Sequence, residues 1–165
     1  MNQLYAEAGV KRKDDSKIMG LRALLVLGVA IGVILMLFGG LFGIIGIVLV
    51  VAMIYLFPKL NVEYEYVFVD GQIDFDRIIG KAKRKTVLRI DLEQVEIVAP
   101  KGSHALDSFT YTQLLNKDFS SGDKNVKPYI IIGSVEDKKY RITFEPSEKM
   151  LAMMKQKSPR KIAQY

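Results

Sequence analysis

The stretch Ala23–Phe57, ALLVLGVAIGVILMLFGGLFGIIGIVLVVAMIYLF, holds thirty-five residues and no charge. A charge-free apolar run of about 18 residues or more reads as membrane-spanning. As one helix it would reach roughly 52 Å at about 1.5 Å per residue, whereas the hydrocarbon core is about 30 Å thick. The run is too long for one upright span, and Gly39-Gly40 divides it near the middle. The expected arrangement is a hairpin of two helices, 18–38 and 41–57. The rival is a single, strongly tilted span, which puts one basic end outside.

Flanking charge sets the orientation. Lys11, Arg12, Lys13, Lys17 and Arg22 precede the run; Lys59 and the cluster Lys81, Lys83, Arg84, Lys85 follow it. The turn at Gly39-Gly40 is uncharged. Basic flanks stay on the cytoplasmic side, so a multi-pass protein of the cell membrane is expected, with both termini and the remaining chain in the cytoplasm. Arg22 lies at shallow depth, where its stem can snorkel to the headgroups. Tyr55 and Phe57 suit the interface, and Pro58 ends the second helix. A cleaved signal peptide does not fit, since the apolar run far exceeds a signal core of about 7–15 residues.

The chain has 165 residues, a formal charge of +6 and no cysteine. Residues 1–17 form an N-terminal cytoplasmic segment, 18–57 the hairpin and 59–165 one small domain. In 1–10, Leu4, Tyr5, Ala8 and Val10 mark either one face of an interfacial helical turn or a frayed terminus. The surplus of cations is first a topology signal. The absence of cysteine excludes disulfides, thiolate nucleophiles and cysteine-bound metals.

Within the run, Gly28 and Gly32 are spaced i,i+4, as are Gly39 and Gly43, with Gly46 one turn on. Such spacing lets helix backbones approach closely. An antiparallel hairpin brings Gly32 and Gly46 to similar depth, so Gly28, Gly32, Gly43 and Gly46 are the candidate packing positions, within one chain or in a homo-oligomer. The run contains no Asp, Glu, Lys, His or Asn, which argues against a proton relay or ion pathway.

After Pro58 the pattern alternates. Tyr64, Tyr66 and Phe68 share one face, Asp70-Gly71 signals a type I′ turn, and Ile73 and Phe75 return inward. Lys81–Lys85 is a basic connection. Strands follow at about 86–90 and 96–99, with Asp91 capping a single turn between them. Residues 101–126 are poorly patterned: Leu106, Phe109, Leu114 and Leu115 fit either a short helix or a loose strand, and a fifth strand is expected at 117–120. Clear strands follow at 129–133 and 140–144, joined across Glu136-Asp137-Lys138. Ser147 caps a helix with the apolar stripe Met150, Leu151 and Met154, stopped by Pro159.

About seven antiparallel strands and one C-terminal helix resemble the pleckstrin-homology-like partly open barrel, in which the last helix plugs two packed sheets. A narrower resemblance rests on Asn61–Tyr66, Ile97–Pro100, Gly102-Ser103-His104 with Leu106-Asp107-Ser108, Asp118–Gly122, Phe144-Glu145-Pro146 and Pro159-Arg160-Lys161. These segments are similar to a family of small membrane proteins from Gram-positive anaerobes catalogued as a domain of unknown function. That resemblance implies neither an activity nor a site.

Chemistry-bearing constellations are sparse. Ser103, His104 and Asp107 are adjacent, whereas triads are assembled from distant positions, so they read as a loop that caps its own backbone. Asp70, Asp74 and Asp76 read as a solvated strand face without the pattern of a calcium loop. With one histidine and no fingerprint motif, no metal or cofactor is expected. The inward aromatics cannot stack on bases, so nucleic acid is not expected. The candidate site is Lys81, Lys83, Arg84 and Lys85, facing anionic headgroups at about 1 kcal/mol per cation. The sequence therefore points to a non-enzymatic, membrane-anchored domain that binds a protein partner or an anionic lipid surface. The alternative is an accessory subunit of a larger membrane complex acting through the glycine-rich hairpin.

Overall fold

The computed structural model describes residues 4–163. The chain divides into two compact units, one of residues 13–62 and 79–83, the other of residues 4–12, 63–78 and 84–163.

The first unit is a helical hairpin. Helix α1, Ser16–Leu37, starts where Asp15 accepts the Ile18 amide at 2.9 Å. This satisfies one of the amides that a helix start leaves orphaned. Gly39 and Gly40 reverse the chain at φ 66° and 54°, a region open to glycine because it has no Cβ. Helix α2, Gly40–Leu56, runs into a 3-10 turn, Phe57–Leu60, with Pro58 near its start. Both helices are long and apolar enough to cross a membrane. Little of either is buried: Leu25, Gly32 and Gly46 face the sister helix, while Leu27, Ile31, Ile44, Ile47 and Val51 point outward.

The second unit is built from two four-stranded sheets. The first runs β1-β2-β3-β4, with β1 Tyr5–Lys11, β2 Val62–Val69, β3 Gln72–Ile79 and β4 Lys83–Asp91. The second runs β5-β7-β8-β6, with β5 Val95–Pro100, β6 Leu115–Asp118, β7 Tyr129–Val135 and β8 Lys138–Phe144. Helix α3, Glu148–Lys157, follows. Ser147 Oγ accepts the Met150 amide, and Met150 and Met154 are wholly buried. Asp70 and Gly71 both take positive φ, 48° and 112°, as a type I′ turn requires.

Three expectations are corrected. Residues 5–11 form neither a helical turn nor a frayed end: β1 pairs antiparallel with β2 from Tyr5↔Val69 to Lys11↔Glu63. Ala6 is fully buried and Ala8 and Val10 half-buried, so the period is two. The described residues thus hold eight strands. The strand expected at 117–120 lies at Leu115–Asp118 and pairs parallel with β8, because the connection after β5 carries the chain across the sheet to its far edge. Asp76 is not solvated but 5% exposed.

The core is aromatic. Tyr66, Phe75 and Phe144 pack edge to face with centroids 5.6 to 5.8 Å apart, and Phe75 stacks on Phe119 at 4.9 Å. These are the favoured ring geometries. Tyr66 Oη donates to the buried Phe119 carbonyl at 2.5 Å, and burial pushes the phenol pKa up. A smaller cluster joins Ala99, Leu106, Ile130 and Ile132 with Phe109, Leu114 and Ala163. The segment after α3 returns to the sheet edge, where Val98 N donates to Lys161 O and Ala163 N donates to Val98 O.

Candidate functional site

The predicted basic cluster is divided by the fold. Lys81 stands in the β3–β4 turn at φ 58°, whereas Lys83, Arg84 and Lys85 open β4. Lys81, Lys83 and Lys85 are exposed. Arg84 is committed: its Nε donates to Asp76 Oδ2 at 2.6 Å and its Nη1 lies 2.9 Å from Glu65 Oε2. The bond to Asp76 holds the guanidinium protonated more firmly than usual and shields a carboxylate that is otherwise nearly buried.

The turn 79–83 belongs to the helical unit. Gly80 N donates to Asn61 O at 2.9 Å, and a Cβ on Gly80 would lie 3.2 Å from Pro58 O. Asn61 also holds Arg22, whose Nη2 donates to Oδ1 at 2.7 Å. Arg22 forms an ion pair with Asp14 as well, and its guanidinium lies 5.9 Å from the Phe57 ring centroid. Lys59 Nζ sits 3.9 Å from the Tyr55 ring centroid, in range of a cation–π attraction. Because α1 and α2 are antiparallel, the start of α1 and the end of α2 coincide. The charged flanks Lys17, Arg22 and Lys59 therefore gather at one end of the hairpin, joined there by the turn that carries Lys81 and Lys83.

At mid-hairpin the glycines meet the opposite helix. A Cβ on Gly46 would lie 2.5 Å from Gly32 O, and one on Gly32 would lie 2.7 Å from Val50 Cγ2. A Cβ on Gly28 would fall 3.0 Å from Met53 Sδ, and one on Gly43 3.7 Å from Met36 O. Gly20 has open space around it.

One polar group of the sheet unit has no counterpart in the sequence reading. Glu7 on β1 and Glu65 on β2 are diagonal neighbours on one face, given the pairs Glu7↔Val67 and Gly9↔Glu65. Tyr5 Oη donates to Glu7 Oε2 at 2.6 Å. The neighbouring Glu7 carboxyl, with burial adding to it, raises the Glu65 pKa, while Glu65 and the Tyr5 hydroxyl lower that of Glu7. The signal available in the sequence was two glutamates of like parity, visible only once β1 is known to be a strand.

The remaining candidates are structural. Ser103 Oγ accepts the Ala105 amide, and His104 Nδ1 meets Asp107 Oδ2 at 3.1 Å with both side chains exposed. Asp74 takes a two-pronged bond from Arg89, at 2.7 and 2.6 Å. Asp70 Oδ1 accepts the Leu4 amide, tying the start of the first sheet to the β2–β3 turn.

Two four-stranded sheets and a C-terminal helix with a buried methionine face agree with what the comparisons return. Residues 2–164 match the family described as Bacterial PH-like domain (DUF6106). The chain belongs to this family. The match runs through the two apolar helices as well as the sheets. No curated protein and no solved structure matches the chain.

Proposed function

We propose that the protein is a non-enzymatic integral membrane protein in which a two-helix anchor carries a cytoplasmic PH-like domain resting on the anionic leaflet. The observation that carries this reading is the pairing of β1 with β2. These strands flank the hairpin in sequence and pair side by side from Lys11↔Glu63 onward. Both ends of the hairpin must then open on the same side of a bilayer, which supports two crossings over one tilted span. The basic flanks favour the cytoplasmic side. Lys81 and Lys83, on the turn bonded to Asn61, stand beside the charged end of the anchor. An anionic surface attracts each such cation by about 1 kcal/mol within a Debye length. Lys85 extends the set, while Arg84 serves the sheet. A protein partner would then meet a domain whose orientation is already limited.

The reading as an accessory subunit has less support, because the glycines that would form its docking stripe meet the sister helix.

The chain lacks cysteine, so single cysteines report topology cleanly. In intact cells a membrane-impermeant maleimide should label Gly39→Cys and spare His104→Cys; the reverse pattern refutes the orientation. For the lipid surface, amide exchange at 79–85 in the full-length protein should be slower in anionic than in neutral nanodiscs. Equal rates refute that part.

A further inference from the structure

A groove of about 410 Å³ runs between α1 and α2 at the charged end of the hairpin. It falls within the roughly 300–1,000 Å³ of ligand clefts. Leu25, Val26, Val29, Met53, Ile54, Phe57 and Pro58 line it, and all are apolar. Gly28 sets one wall, because without a Cβ it lets Met53 lie against α1.

The mouth of the groove is the opposite in character. Arg22 precedes Leu25 and Val26 by one turn and lies over the face of Phe57. Its Nη1 and Nη2 are taken by Asp14 and Asn61. Its Nε–H is buried and has no acceptor. A buried donor left unpaired is costly, and this one belongs to a permanent cation. Lys59 follows Pro58 directly. Lys81 and Lys83 ride on the turn whose Gly80 abuts Pro58. The groove thus offers a dry slot for a chain of methylenes, with the Arg22 guanidinium over the Phe57 ring at its edge and Lys59 following Pro58.

We infer that this groove seats one anionic phospholipid, with an acyl chain between α1 and α2 and its headgroup phosphate beside Arg22 and Lys59. Basic pockets between helices at the cytoplasmic face suit anionic headgroups. The inference rests on the membrane reading above but adds a stoichiometric site, distinct from diffuse attraction to a charged surface. Lys59 and the turn lysines supply selectivity for negative headgroups; the apolar slot excludes free phosphate as the occupant.

The test uses the full-length chain in nanodiscs of equal phosphatidylglycerol and phosphatidylcholine, released into mild detergent and weighed by native mass spectrometry. One phosphatidylglycerol should be retained over phosphatidylcholine by about tenfold. Val26→Trp, which fills the slot from an exposed position, should abolish retention. Val51→Trp, equally exposed but outside the slot, should not. Arg22→Gln should erase the headgroup preference. Equal retention of both lipids, or equal loss in both tryptophan variants, overturns the site. Alkaline extraction separates the two levels: a chain stripped from membranes sinks the membrane reading itself. An integral chain without lipid preference sinks only this inference.

Discussion

Gly32 and Gly46 stand back to back across the hairpin, so close that a Cβ on Gly46 would meet the carbonyl oxygen of Gly32 at 2.5 Å. Backbone faces backbone there, and neither helix can yield by turning a side chain aside. Gly46→Leu should therefore loosen the hairpin by about 1–3 kcal/mol, the usual range for forced overpacking. Gly20→Leu, with open space around it, should change little. Thermal unfolding of helical signal in detergent compares the two; equal shifts would count against close helix contact.

Tyr66→Phe removes the donor to the Phe119 carbonyl and leaves a buried acceptor. The expected loss is about 1–3 kcal/mol, read as a lower denaturation midpoint with an unchanged slope. A neutral result would mean that water or another donor reaches the carbonyl.

The Glu7–Glu65 pair should give stability a pH dependence. Glu65 titrates above its ordinary 4.5 in the folded state, so its contribution is present below 4.5 and is lost as pH rises through the raised value. Glu7 titrates below 4.5, so its contribution is present above 4.5 and fades on acidification. Glu65→Gln keeps a donor at every pH. Its advantage over the parent should grow from about pH 4.5 upward, seen as a widening gap in melting temperature. A constant gap would refute the raised Glu65 pKa.

The β7–β8 turn places Glu136 and Asp137 at φ 48° and 61°. A side chain there costs roughly 1–2 kcal/mol per residue. Replacing the pair by Asn-Gly, the favoured type I′ sequence, should stabilise the protein by about 1 kcal/mol in a chemical melt.

Removing residues 1–58 to obtain a soluble fragment should fail in a specific way. The fragment loses β1, uncovers one edge of β2 and takes the fully buried Ala6 with it. It should aggregate, as open strand edges do. A peptide of residues 4–12, joined through a short linker in place of the hairpin, should restore a monomer on size exclusion. A monodisperse 59–165 fragment would show β1 to be dispensable.

The helices were legible because thirty-five uncharged residues exceed one upright span and Gly39-Gly40 divides them, and Asp70-Gly71 announced its turn by composition. Strand β1 was hidden because Ala6, Ala8 and Gly9 are weak strand formers. Only the partner strand, more than fifty residues on, makes them one. The turn at Glu136-Asp137 lacked the glycine that would have revealed it. The basic run looked like one patch because nothing local says that Arg84 reaches back to Asp76 while its neighbours do not. The parallel placement of β6 depends on where the far edge of a sheet lies, which no window of sequence contains.

The position of β1 has a consequence for how the molecule is made. Strand β1 is synthesised before both helices and has no partner until they and β2 have been made. On the membrane reading proposed above, its mate, β2, emerges only after the membrane machinery has received α1 and α2. A chain whose second helix stalled or inverted would hold β1 and β2 on opposite sides of the bilayer, and the first sheet would never close. On that reading, completion of the first sheet reports that both helices were inserted. Quality-control proteases that recognise unpaired strand edges would find their substrate in each molecule that left it open.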